Sequence, residues 1–345
     1  AEAEARVRAG ARRAGGAAPG RAQRGGLDEL DDRLLVRYVV DGADLWGIIV
    51  SDGRRQRHHL GALTAASASI DGLRAGLRRM AAGGEAARRS AVMTARHAVA
   101  VDTALLGPLR AHLADRPVVV VPDGVVHAVP WRALPSVGDR PLVVAPSVAA
   151  WTSAHRAGLG ACGPETAAFA AGPGLPGAEA EVAAAAEAWQ AVTGSSPRRL
   201  DATRATVGGI RSAMEVVDYL HLACHGRLRA DNPVFSSLAL ADGPLTGFDI
   251  DQLRRAPPIV VLGACDVGRG IDLGGGEIVG LVARLLAAGA RSVVAAVVPL
   301  PDGAVIDVLA RLAGEIARGA GPAAALASVG RDDPAAGGLI CFGAG

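Results

Sequence analysis

The sequence predicts an α/β protein, a sheet of mostly parallel strands with helices packed on both faces. Three observations predict it. From residue 117 onward, short apolar runs alternate with longer stretches of helical spacing, the rhythm of strand–helix units in a parallel sheet. Two of those runs stop at a reactive side chain and a glycine: Tyr219-Leu220-His221-Leu222-Ala223-Cys224-His225-Gly226 and Val260-Val261-Leu262-Gly263-Ala264-Cys265-Asp266-Val267-Gly268. Strands of an open parallel sheet deliver functional groups at their C-terminal ends. Finally, half of the 345 residues are hydrophobic while only 3% are aromatic, so a large core is built from Ala, Val and Leu.

Taken in order, residues 1–33 mix Ala, Gly, Arg and acidic residues with no apolar periodicity. They read as a linker, helical or disordered, or as the end of a preceding helical region. The missing initial Met and the start in mid-pattern suggest a chain cut from a longer one. Strand-like runs at 35–40 and 45–50 flank Asp41-Gly42-Ala43-Asp44, a hairpin signal. His58-His59 and the arginines around them read as a solvated turn. Helical spacing follows over 62–91 and 97–115. Strands are expected at 117–121, 142–145, 166–171, 216–223, 236–240, 259–264 and 292–298. Helices are expected near 178–191, 204–213, 277–288, 302–318 and 322–329.

The two strand ends together read as the halves of a cysteine nucleophile site. His225 serves as general base and then as acid. Cys265 is the nucleophile, because it ends its strand before a Gly-containing turn, and a nearby imidazole favours its thiolate at neutral pH. The backbone N–H groups of Gly226 and Cys265 form the oxyanion donors. Packed alone, a His or a Cys at a strand end is as readily a core residue; the pairing of His-Gly with Cys-x-x-Gly favours the site. On a strand, His221, Ala223 and His225 share one face and Cys224 faces the other, so Cys224 reads as a small buried hydrophobe. Ligands that do not converge make zinc unsuited to His221, Cys224 and His225. Gly274-Gly275-Gly276 fails the dinucleotide spacing and follows no strand. Five glycines between Gly268 and Gly276 predict a loop whose ordering takes a partner's binding energy.

Composition excludes other chemistry. All 36 basic residues are Arg, so no P-loop lysine and no Schiff-base or pyridoxal-phosphate lysine exists. No cofactor is expected. A formal net charge of +2 gives no nucleic-acid footprint. Four scattered cysteines fit a reducing, cytoplasmic compartment, and no apolar run reaches the roughly 20 residues a membrane span needs.

The two motifs, His221-Leu222-Ala223-Cys224-His225-Gly226 and Val261-Leu262-Gly263-Ala264-Cys265-Asp266-Val267-Gly268, resemble those of the CHAT domain family, caspase-like peptidases related to separase. Caspase signatures place the histidine about 50 residues before the cysteine, and here they lie forty apart. Similarity extends to Val120-Val121-Pro122-Asp123-Gly124, His127-Ala128-Val129-Pro130-Trp131, Ala145-Pro146-Ser147, Leu175-Pro176-Gly177-Ala178-Glu179-Ala180-Glu181, Asn232-Pro233 and Ala287-Ala288-Gly289-Ala290. The resemblance implies a caspase-hemoglobinase fold over 34–345, divided into a pseudo-caspase-like half (34–160) and a catalytic half (161–345). It also implies a Cys265/His225 dyad and frequent fusion to tetratricopeptide repeats. Gly263 and Val267 depart from the usual Ser and Thr, and Val297-Val298-Pro299 lacks the usual Trp. The expected function is a cysteine endopeptidase acting on a polypeptide and activated by a regulatory protein or attached repeat region. The alternative is a catalytically silent scaffold for protein–protein interaction. Asp266 and Asp302, with Asp272 and Glu277, are candidates to line a pocket for a basic side chain.

Overall fold

Alternation along the apolar runs divides their side chains between two cores. Val118 and Val120 enter one cluster and Val119 and Val121 the other; Val260 and Leu262 part in the same way from Ile259 and Val261. Strands buried on both sides need helices on both faces. The computed structural model describes residues 28–160, 162–227, 236–263, 276–300, 303–330 and 333–345.

The strands are β1 (Leu34–Asp41), β2 (Asp44–Ser51), β3 (Arg54–Ala62), β4 (Val118–Val121), β5 (Leu142–Val144), β6 (Ala167–Ala171), β7 (Arg198–Leu200), β8 (Tyr219–Ala223), β9 (Gly226–Arg227), β10 (Ser237–Leu240), β11 (Gly243–Thr246), β12 (Ile259–Gly263), β13 (Ser292–Ala296) and β14 (Leu339–Gly343). Eleven form one sheet in the order β3-β2-β1-β4-β5-β14-β13-β12-β8-β6-β7, and β11-β10-β9 make a small second sheet. Two parallel blocks run in opposite directions. β1, β4, β5 and β14 form one, and β13, β12, β8, β6 and β7 the other, meeting at the antiparallel β13–β14 pair.

Eight helices of two turns or more are described: α1 (Leu63–Ala81), α2 (Gly84–Leu105), α3 (Val148–Gly158), α4 (Ala178–Thr193), α5 (Val207–Met214), α6 (Gly276–Ala287), α7 (Ala304–Ala317) and α8 (Pro322–Gly330). Leu73, Leu105, Met214 and Leu285 place α1, α2, α5 and α6 on one face. Trp151, Trp189, Leu312 and Leu326 place α3, α4, α7 and α8 on the other. The expected layered α/β architecture is therefore present, with three fully buried tryptophans, Trp131, Trp151 and Trp189, filling what Ala and Val leave open.

Several elements differ from expectation. His58 and His59 lie in β3, not in a turn: the Trp46 ring of β2 lies 4.7 Å from that of His59, inclined at 52°, and the Asp44 carboxylate bonds His59 Nε2 at 2.9 Å. The helix expected over 62–91 breaks at Gly83 and Gly84, whose positive φ values of 75° and 70° turn the chain into the α1–α2 hairpin. The next one ends at Leu105, because Gly107-Pro108 cannot continue an α-helix. Before β1, Asp28–Leu30 forms a 3-10 turn whose Leu30 is buried against the second core. Among the described residues no helix is long and apolar enough to cross a membrane.

Candidate functional site

Three neighbouring parallel strands, β6, β8 and β12, end at one level. Their registers put Ala171 beside Ala223 and Ala223 beside Gly263. From Ala223 the chain runs through Cys224 to His225, and from Gly263 through Ala264 to Cys265, so each motif residue follows a paired strand end by two positions. Cys265 itself lies outside the described residues, as do Asp266, Asp272, Asp302 and the 268–275 stretch; of Glu277 only the backbone is described.

His225 is half-buried. Its Nε2 lies 2.9 Å from the carbonyl oxygen of Gly174 in the loop between β6 and α4. A carbonyl only accepts, so Nε2 carries a proton and donates it. That fixes the tautomer of the neutral ring and leaves Nδ1 as the basic nitrogen. The loop approaches closely because Gly172 has no side chain. A Cβ there meets the Cys224 Cβ at 2.4 Å and the Ala239 oxygen at 2.9 Å, while the Gly172 N–H donates to the Ala223 carbonyl at 2.7 Å.

Gly226 opens β9, which pairs antiparallel with β10. The Ala239 N–H donates to the His225 carbonyl at 2.8 Å. In a trans peptide the C=O and N–H point in opposite directions, and the structure holds no cis bond among the described residues. The Gly226 N–H is therefore directed away from β10.

The other thiols have different surroundings. Cys224 is 1% exposed within the first core, opposite Tyr219 and Ala223 in the second. Burial pushes the Cys341 thiol up to about 12, so it carries no thiolate at neutral pH. Cys162 is exposed before β6, at the opposite strand end from His225.

Beneath the site lies a buried polar cluster that sequence reasoning missed. Glu181, in the first turn of α4, reaches His221 of β8 with Oε1 2.8 Å from Nε2, the two side chains being 1% and 0% exposed. The Tyr219 hydroxyl lies 3.3 Å from His221 Nδ1, and burial foremost, then the Glu181 charge, pushes the Tyr219 pKa up. Tyr219 therefore keeps its proton. A Glu in the Leu-Pro-Gly-x-Glu-x-Glu run and a His four residues before His225 were the signals, but neither names its partner.

A CHAT domain family model matches residues 95–332. No curated protein matches. Two crystal structures of the Saccharomyces cerevisiae separase–securin complex, at 3.0 and 2.6 Å resolution, are similar in fold. One superposes with a TM-score of 0.67 at 8% identity, over 92% of this chain and 30% of that one. The other has a TM-score of 0.64 at 9% identity, over 92% and 31%. This chain thus spans under a third of the length of the chains it superposes on, and its sheet and helices have the caspase-like arrangement found there. A matched region of that extent, carried on this sheet, makes the chain a member of the CHAT domain family.

Proposed function

We propose that this protein is a cysteine endopeptidase in which Cys265 is the nucleophile and His225 the acid–base. The parallel pairing of β8 with β12 carries the proposal, since it ends both motif-bearing strands side by side with Ala223 opposite Gly263. The Gly174 carbonyl supports it by fixing the His225 tautomer. In the reaction, His225 Nδ1 takes the Cys265 proton and the thiolate adds to the scissile carbonyl. The Gly226 and Cys265 N–H groups hold the resulting oxyanion. His225 then protonates the leaving amine, and water releases the acyl group from sulfur by the same exchange in reverse.

The substrate is a polypeptide, and Asp266 and Asp302 are the candidates to recognise a basic side chain in it. The free chain has low basal activity, raised by a regulatory protein or attached tetratricopeptide region; the five glycines of 268–276 support this. Lysine-free composition and scattered cysteines support a cytoplasmic enzyme without cofactor. An acyloxymethylketone peptide probe tests the assignment. Labelling is expected on Cys265 and lost in His225→Ala. Labelling distributed over Cys162 and Cys265 alike, and indifferent to His225, overturns it.

A further inference from the structure

Glu181 touches both strands that lead to the proposed dyad. Its carboxylate bonds His221 Nε2 at 2.8 Å on β8. On β12 it fills the space beside Gly263. A Cβ at 263 comes within 1.8 Å of Glu181 Oε1, 2.8 Å of its carboxyl carbon and 3.1 Å of His221 Nε2. In this chain the Glu181 carboxylate thus occupies the volume that a side chain at 263 would take. His221 in turn is held from its other nitrogen by the Tyr219 hydroxyl at 3.3 Å and lies against the Phe169 ring, 5.7 Å away and tilted by 23°.

Glu181 is also anchored where a carboxylate is favoured. It sits in the first turn of α4, where the helix dipole stabilises negative charge, and its own N–H donates to the Gly177 carbonyl at 2.8 Å. Gly177, with φ 83°, closes the loop whose Gly174 carbonyl accepts the hydrogen bond from His225 Nε2. One helix start thus holds β8 at His221 through Glu181, and His225, two residues past its end, through the preceding loop. The same carboxylate wedges the last residue of β12, two positions before Cys265.

We infer that Glu181 is a positioning residue: it sets the offset between the ends of β8 and β12, and through them the approach of His225 to Cys265. The inference rests on the dyad proposed above. Glu181 contacts neither substrate nor thiol. A misplacement of about 1 Å caused by a change remote from the chemistry costs about a hundredfold in rate.

The test uses the full chain and two readouts, peptide turnover and the iodoacetamide alkylation rate of Cys265 followed by peptide mass spectrometry. Exposed Cys162 at the far strand end is the internal reference. Glu181→Ala is expected to lower kcat by at least about tenfold with KM changed less than about twofold, and to change the Cys265 alkylation rate but not that of Cys162. Glu181→Gln, whose amide oxygen still accepts from His221, is expected to retain most of both. Gly263→Ala, which displaces the carboxylate, should resemble Glu181→Ala, and the double variant should be no worse than either single one. Losses that multiply in the double variant, or a lowered Tm with both Cys265 readouts unchanged, overturn the inference. If the wild type turns over no peptide, the endopeptidase reading fails, while the alkylation rates still decide the role of Glu181.

Discussion

Cys224 and His225 are chain neighbours with opposite surroundings. Cys224 is 1% exposed in the first core, and the His225 ring reaches the loop before α4 through Gly174. Cys224→Ser is therefore expected to leave most peptidase activity, whereas Cys265→Ala and His225→Ala should each lower kcat/KM by about a thousandfold or more. Comparable losses in all three variants contradict the assignment. The contrast in surroundings between Cys224 and His225 was legible in the sequence because alternation along a strand is strict. The Gly174 carbonyl and Glu181 were not legible. A backbone acceptor leaves no residue-type signature, and the Glu181–His221 contact joins positions 40 apart. Gly263 became informative only with the carboxylate beside it.

Among the elements, apolar strands were visible and polar or isolated ones were not. β3 carries Arg54, Arg55, Gln56 and Arg57 at the sheet edge, a place where charge protects against edge-to-edge pairing and where the apolar signal vanishes. β14, Leu339–Gly343, is fully buried at the centre of the sheet, yet a lone five-residue run after the last helix gives no hint that it joins the two parallel blocks. Helix ends, by contrast, followed glycine and proline. The C-terminal part of α2 is tied down by the buried Asp102. It accepts from the Ser136 N–H at 2.8 Å, the Ser136 hydroxyl at 2.7 Å and the Arg110 guanidinium at 2.9 Å. Asp102→Ala leaves the Ser136 N–H without its acceptor and is expected to cost about 1–3 kcal/mol in denaturant unfolding. An unchanged midpoint contradicts this.

At the scale of the molecule, eleven of the described strands make one sheet whose two parallel blocks meet at β13–β14. The sequence indicated helices on both faces, but not the antiparallel seam, because strand direction depends on connections that no local pattern records. The fold also carries acid-sensitive histidines. Burial holds His127 below the usual imidazole range, and burial foremost, then the Arg33 charge, does so for His155. The unfolded chain then binds the proton first. Stability is full above the ordinary value of about 6.5 and is lost as pH falls below it. Thermal unfolding is expected to shift down between about pH 7 and pH 5, and His127→Gln should flatten that slope; an identical slope in the variant contradicts the cause.

The central claim is that β8 and β12 end in one catalytic dyad. Cleavage of a randomised peptide library by the wild-type chain, beside its Cys265→Ala variant, measures it most directly. Cleavage by the wild type that is absent from Cys265→Ala is the expected result. Cleavage that persists in Cys265→Ala, or a wild-type chain that cleaves nothing, contradicts the claim, and the second outcome leaves the silent scaffold as the alternative.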